Sequence, residues 1–262
     1  MRAHAPGSVT GLFAPATDEV GRSRGASVAI EDGVVVDLGP AGETTITVEG
    51  EPAPFEPVER VLSSLEVAAR VDVLPEVPLG CGFGASGAAT LATALAANAA
   101  CGLGVGRGEL VEAAHRAERA AGTGQGDVYI QDRGGLLWSA NGEVERREVG
   151  EEIEYASAGG MSTKEMLADE SFMRLASEVG REHLDRLPDP PTLRAFAERS
   201  RAYLTGVGIA TPFVERELER VERAGGVGSM ALFGETVFAV GVRDVLSSRC
   251  AVANGGARLV AG

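Results

Sequence analysis

Residues 78–100 read Pro78-Leu-Gly-Cys-Gly-Phe-Gly-Ala-Ser-Gly-Ala-Ala89 and then Thr90-Leu-Ala-Thr-Ala-Leu-Ala-Ala-Asn-Ala-Ala100, a glycine loop that runs straight into an alanine-rich helix. Gly80, Gly82, Gly84 and Gly87 carry no Cβ, so several backbone N–H groups can close on one ligand. The helix adds unpaired N–H donors and roughly half a positive charge at its start. Loop and helix together form an anion cradle, and phosphate is the expected guest. A plain packing helix behind an ordinary turn is the alternative, but it has no need of so many glycines before its first turn.

Three architectures use such a loop. Gly82-Phe-Gly-Ala-Ser-Gly87 satisfies the dinucleotide pattern G-x-G-x-x-G, which belongs in the tight turn after a first strand, with an acid about 20 positions on for the ribose. Here Pro75 and Pro78 separate the nearest strand-like run, Val71-Asp-Val-Leu74, from the glycines. Downstream the chain reads Cys101-Gly-Leu-Gly-Val-Gly-Arg-Gly108, and Glu109 is the first acid. A Walker loop ends in G-K-[ST], whereas the single lysine, Lys164, is far away in the chain. The third architecture fits better. Pro78-x3-Gly82-Phe-Gly84-Ala-Ser86-Gly-Ala88 resembles the signature P-x3-G-[LF]-G-S-S-A-A of the GHMP small-molecule kinases, whose loop wraps the triphosphate of ATP. The resemblance implies that Pro78, Gly80, Gly82, Gly84, Ala85, Ser86, Gly87 and Ala88 bind ATP, and that the Ser86 hydroxyl contacts phosphate and Mg²⁺. Two positions depart from the pattern: Ala85 replaces the first serine and Gly87 replaces an alanine. The lost hydroxyl removes one hydrogen bond worth about 1 kcal/mol.

Composition bounds the rest. The 262 residues, 44% hydrophobic and 24% charged, suit a globular protein of one large or two modest domains. With 38 acidic against 24 basic residues the formal net charge is −14, which argues against nucleic acid, since a phosphate backbone demands a basic face. The acid excess suits a high-salt cytoplasm such as that of halophilic archaea, where screening suppresses self-repulsion. An acidic protein from a GC-rich genome is the plainer explanation. Cys81, Cys101 and Cys250 have no metal spacing. No apolar run opens the chain, and the least polar window, residues 84–106, is too weak to span a bilayer. A cytoplasmic protein with no membrane partner is expected.

Along the chain, residues 27–30 and 34–38 flank Asp32-Gly33 and read as a hairpin, and residues 44–48 read as a strand. Residues 57–70 and 109–121 carry apolar side chains at helical spacing. Residues 134–138 and 143–149 read as strands about an Asn141-Gly142 turn. From about Glu151 the texture changes to one strand at 153–157 and amphipathic helices over 171–187, 192–204 and 212–224. A strand at 236–242, a short helical segment at 244–250 and a last strand at 257–260 follow. This pattern predicts an α+β protein with a boundary near residue 150, giving domains 1–150 and 151–262. The resemblance implies the GHMP kinase fold, with a ribosomal-S5-like, ATP-binding N-terminal domain and a ferredoxin-like C-terminal domain.

Phosphoryl transfer requires a protein to hold Mg²⁺, neutralise developing charge and aim the acceptor hydroxyl. Glu118, in Ala114-His-Arg-Ala-Glu118, stands where the family carries its metal-binding glutamate. With Ser86 it is the implied Mg²⁺ site, suited to a hard cation that takes one or two protein carboxylates. By charge alone it would instead be a surface acid paired with Arg116 or Arg119. Gly122-Thr-Gly-Gln-Gly126-Asp127 matches the family's glycine turn ending in aspartate. Asp127 is therefore the expected catalytic residue, able to accept or orient a hydroxyl proton, although an aspartate there can also simply close a turn. Pro6-Gly-Ser-Val-Thr-Gly11 stands where the family meets its acceptor, through Ser8. Gly225-Gly-Val-Gly-Ser-Met-Ala231 stands where a third motif closes over the phosphates, through Gly228 and Ser229.

Residues 5–13, 21–26, 126–135 and 161–167 look like the archaeal pantoate kinases, a branch of this superfamily, and the likeness covers nearly the whole chain. It implies ATP-dependent phosphorylation of pantoate to 4-phosphopantoate in coenzyme A biosynthesis; a homodimer is one assembly left open. Pantoate is anionic, so a cation is needed, and Arg22, Arg24, Arg133 and Lys164 are the candidates, a guanidinium offering two parallel hydrogen bonds. His4, His115 and His183 read as structural or exposed. A kinase for mevalonate, homoserine or shikimate shares all the loop chemistry, and a silent nucleotide-binding regulator would keep the loop but lose its acids.

Overall fold

Two long antiparallel strands, β1 (Arg2–Ala14) and β2 (Arg24–Pro40), form the spine of the molecule. The computed structural model describes residues 1–16, 23–124, 126–140 and 143–261. β1 is buried on both faces over almost its whole length, so its sequence lacks the alternation that marks a half-exposed strand. Asp32-Gly33 makes no hairpin. It lies within β2 opposite Pro6-Gly7, where the register shifts and β1 pairs with both halves of its partner, as at a bulge. A Cβ on Gly33 would lie 2.1 Å from the Ala5 carbonyl oxygen, so only glycine lets the strands approach there.

β3 (Thr45–Val48), β4 (Glu51–Pro52) and α1 (Glu56–Ser64) follow. The helix is shorter than its apolar spacing suggested. Glu66 takes a φ of 56° and the Val67 N–H donates to Leu62, a left-handed stop that hands Ala69 and Arg70 to β5 (Ala69–Pro75). Next come α2 (Ala85–Cys101), α3 (Arg107–Ala121), α4 (Asp127–Arg133), β6 (Leu136–Ala140) and β7 (Glu143–Arg147). The first sheet runs β4-β3-β5-β2-β1, with β6 and β7 branching from β2. The alanines of α2 are buried from Ala85 to Ala97 against β1 and β2, because side chains that small let the helix settle close to the sheet.

The remainder is β8 (Glu152–Gly160), α5 (Thr163–Ala168), α6 (Glu170–Asp185), α7 (Leu193–Val207), α8 (Pro212–Arg223), β9 (Val227–Met230), β10 (Gly234–Val240), β11 (Ser248–Ala251) and β12 (Arg258–Val260). A second, antiparallel sheet has the order β11-β8-β10-β9, and α7 and α8 pack on it. β12 returns to pair with β1. The helix expected at 244–250 is absent. Glu154 draws the N–H groups of Asp244, Val245 and Leu246 onto its carboxylate, and the residues after this turn pair with β8. The proposed Asn141-Gly142 turn lies outside the described residues. No helix of the described residues is long and apolar enough to cross a membrane.

Candidate active site

Gly80, Gly82 and Gly84 have φ of 74°, 86° and 62°, which lets the loop fold over the start of α2. The helix begins at Ala85, so Ser86 sits in its first turn. Gly84 is the N-cap, no side chain caps the helix, and no acid occupies the first turn. The leading N–H groups are thus left for a ligand. The loop is clamped from both sheets: the Ser8 N–H donates to Phe83 O at 2.8 Å, and the Thr236 hydroxyl donates to Cys81 O at 2.6 Å.

Glu118 is 2% exposed and takes three hydroxyls. Ser86 and Thr90 both donate to its Oε1 at 2.8 Å, and Thr123 donates to Oε2 at 2.9 Å. It is no surface ion-pair partner; Arg116 pairs with Glu112 instead. Burial pushes the Glu118 carboxyl above its ordinary range, the three hydroxyls oppose that, and the negative charge of Asp127 adds to the rise.

Asp127 opens α4 rather than ending a turn. Ser8 donates to its Oδ1 at 2.9 Å and Thr10 at 3.5 Å, while Thr10 also bonds Ser27 at 2.7 Å. Burial raises the Asp127 carboxyl, and these hydroxyls moderate the shift. Gln131 donates from Nε2 to Gly84 O at 2.7 Å, tying α4 to the loop. Gly84 must be glycine on space as well as φ, since a Cβ would lie 2.2 Å from the Ser8 hydroxyl. Gly87, the departure from the loop pattern, has a similar cause: a Cβ there would lie 2.9 Å from Gln131 Oε1.

The bare helix start, Ser86 and Asp127 face one cavity of about 1250 Å³. Phe13, Leu167, Met173, Leu232 and Phe233 supply apolar wall, and Gly80, Gly82, Gly84 and Ala85 line the loop side. Pro78, Gly87 and Ala88 are not among the lining residues; Pro78 is exposed and Ala88 faces the core. Ser8 acts from behind Asp127. Gly228 and Ser229 do not reach the cavity. They lie buried in β9, paired with Ala239 and Phe238, and the segment that meets the loop is Ala231–Gly234 just beyond: a Cβ on Gly82 would lie 2.6 Å from Ala231 O. The strand hydrogen bonds of β9 override the turn that its glycines suggested.

Of the expected cations, Arg24 lines the cavity, donating to Asp185 at 2.9 Å, and Arg133 lines it from the exposed end of α4. Lys164 is exposed on α5, and its side chain passes over Gly122 at the rim. Arg22 lies outside the described residues. Arg119 and His115 are among the lining residues that were not expected at the site. His115 packs against Tyr129 at 4.8 Å, and burial lowers its pKa. Its position one turn before Glu118 on α3 was the available signal, because residues three apart share a helix face.

Comparison with known proteins points the same way. Residues 56–135 match the model of the GHMP kinases N terminal domain. The pantoate kinase of Methanocaldococcus jannaschii is 27% identical, with 95% of each chain aligned. That of Methanospirillum hungatei JF-1 is 24% identical over 93% of this chain and 88% of its own. Among solved structures, a phosphotransferase related to the CoA biosynthesis pathway superposes with a TM-score of 0.83 at 21% identity, covering 99% of this chain and 98% of that one. The galactokinase of Lactococcus lactis, complexed with galactose, gives 0.72 at 13% identity, covering 99% and 95%. At such identities the superpositions establish the fold.

Proposed function

We propose that this chain, a small-molecule kinase with the GHMP kinase fold and a GHMP kinase N-terminal domain, transfers the γ-phosphoryl group of ATP to the hydroxyl of pantoate, giving 4-phosphopantoate. One observation carries the chemistry: an uncapped helix start behind a glycine loop and a hydroxyl-held carboxylate, Asp127, open onto the same cavity. An anion cradle beside a group able to take a proton is what phosphoryl transfer asks of a protein. The choice of pantoate rests on the likeness to two pantoate kinases over nearly the whole chain.

The residues fit the groups the reaction needs. The glycine loop and the first turn of α2 would hold the triphosphate through backbone N–H groups. The buried, hydroxyl-ringed Glu118 and the Ser86 hydroxyl would hold Mg²⁺, a hard cation that usually takes only one or two protein carboxylates. When bound, that ion neutralises charge building on the transferring group. Asp127 accepts the acceptor's hydroxyl proton at Oδ2, because Ser8 and Thr10 occupy Oδ1. The oxygen so freed forms the new bond to phosphorus as the bond to ADP breaks. Phe13, Leu232 and Phe233 keep water from competing, and Arg24, Arg119, Arg133 and Lys164 are the cations at hand for an anionic acceptor. In this reading residues 1–150 supply loop and acids, and residues 151–262 supply apolar wall and Lys164. A coupled ADP-release assay with ATP and Mg²⁺ at high salt, offering pantoate against mevalonate, homoserine and shikimate, tests the proposal. Turnover of another alcohol but not of pantoate removes the substrate; no turnover of any removes the activity.

A further inference from the structure

The hydroxyls around Glu118 and Asp127 do more than satisfy buried charge, because they are shared unequally among the carboxylate oxygens. Each carboxylate oxygen accepts comfortably along two lone-pair directions. Oε1 of Glu118 takes both Ser86 and Thr90, and Oδ1 of Asp127 takes both Ser8 and Thr10, whereas among the described residues Oε2 takes Thr123 alone. The remaining capacity faces one spot. A Cβ built on Gly124 would lie 3.0 Å from Glu118 Oε2 and 3.7 Å from Asp127 Oδ2, so these two oxygens converge beside Gly124, where any side chain would crowd Oε2. Gly124 lines the cavity.

We infer that Thr90 and Thr123 are positioning residues that lock the Glu118 carboxylate with Oε2 turned to the spot beside Gly124, so that this oxygen, rather than Oε1, meets a divalent cation. Thr90 is fully buried one turn beyond Ser86 on α2, and Thr123 is exposed on the glycine turn, so the carboxylate is gripped from two separate elements. The Thr90 hydroxyl has a single proton and lies within reach of two acceptors, Oε1 at 2.8 Å and Ser86 O at 2.9 Å, of which the carboxylate is the stronger. The ligating Ser86 hydroxyl can leave Oε1 for a cation without freeing the carboxylate, because Thr90 still holds that oxygen. This inference rests on Glu118 as the metal ligand.

The test measures Mn²⁺ binding by electron paramagnetic resonance in the presence of ADP, and ADP binding without metal by calorimetry, on the full chain. Thr90→Val and Thr123→Val are expected to weaken Mn²⁺ binding about 10-fold or more, the usual effect of losing a partner that orients a ligand. Metal-free ADP affinity should stay as in the parent, and Thr90→Ser should restore Mn²⁺ binding. Parent-like Mn²⁺ affinity in both valine variants overturns the inference, as does failure of the serine variant to restore it. If Thr90→Val does not fold, the exposed Thr123→Val decides alone. Glu118→Gln is run beside them: if it too leaves Mn²⁺ affinity unchanged, Glu118 is no ligand and the metal assignment falls with the inference. A weakened Glu118→Gln beside unaffected valine variants sinks the inference only.

Discussion

Placing alanine at Gly84 should disturb Asp127 from two elements away, through Ser8. Gly84 has φ 62° and ψ 21°, a left-handed conformation that costs a residue bearing a Cβ about 1–2 kcal/mol. The new Cβ would lie 2.2 Å from the Ser8 hydroxyl, the group that donates to Asp127 Oδ1 at 2.9 Å. Driving that hydroxyl away removes a hydrogen bond to a charged group, worth about 1.5–3 kcal/mol. Gly84→Ala should therefore cost about 2.5–5 kcal/mol of stability in total. If the displaced hydroxyl also steadies Asp127 during transfer, kcat should fall about 10- to 100-fold, at tenfold for each 1.4 kcal/mol. The sharper measurement is the cycle with Ser8→Ala. Once the hydroxyl is gone, the nearest obstacle is the amide end of Gln131 at 2.8 Å, a side chain that can give way. Gly84→Ala should then cost only the backbone term of about 1–2 kcal/mol. Denaturant unfolding of the parent, both single variants and the double variant gives the coupling, expected at about 1.5–3 kcal/mol. Additivity within about 0.5 kcal/mol would refute the reasoning, because it would mean that Gly84 and Ser8 do not meet.

Other outcomes follow from the same geometry. Asp127→Asn should lower kcat by about 10²–10⁴-fold while nucleotide affinity barely moves, and full activity in this variant would remove Asp127 from the chemistry. Gly124→Ala meets no left-handed strain, but its Cβ would lie 3.0 Å from Glu118 Oε2, so turnover should fall at least about tenfold with the fold intact; a stopped-assay rate equal to the parent's contradicts this crowding. Burial alone would raise the Glu154 carboxyl, but the N–H groups of Leu246, Val245 and Asp244 and the charge of Arg249 outweigh it and hold it below the ordinary glutamate value near 4.5. Its contribution to stability is thus complete above that value and is lost as pH falls through the lower folded one. Glu154→Gln should destabilise by about 1.5–3 kcal/mol at neutral pH and flatten this part of the acid-unfolding curve; an unchanged curve shows that the 244–246 turn does not depend on the charge.

Much of the fold was legible wherever a segment had one wet and one dry face. The helices that became α3, α6, α7 and α8 were recognisable from their apolar spacing to within a few residues of their ends. β1 was not, because it is buried on both faces and contains Pro6 and Gly7, so it presents neither alternation nor strand formers throughout. Asp32-Gly33 carried a strong local turn signal that lost to pairing with β1 on both sides, and the apparent helix at 244–250 lost to a carboxylate some ninety residues earlier in the chain, Glu154. α4 went unread because a seven-residue helix is too short to show a period.

For the candidate site, the glycines from Gly80 to Gly87 could be read from the chain as an anion cradle, because residues without a Cβ ahead of a helix have a direct meaning for phosphate, whereas Ser86, Glu118 and Asp127 took their expected roles from the resemblance to the GHMP kinases. Sequence could not say which oxygen of each acid is left free, that Ser8 reaches Asp127 across 119 positions, or that Gly228 and Ser229 turn inward within β9. Nor could it bring His115 and Arg119 to the cavity. Those are matters of direction and distance between elements, set by how α2, α3 and α4 stack on β1 and β2. Local sequence fixes which groups a chain owns, while packing alone decides which of them face each other.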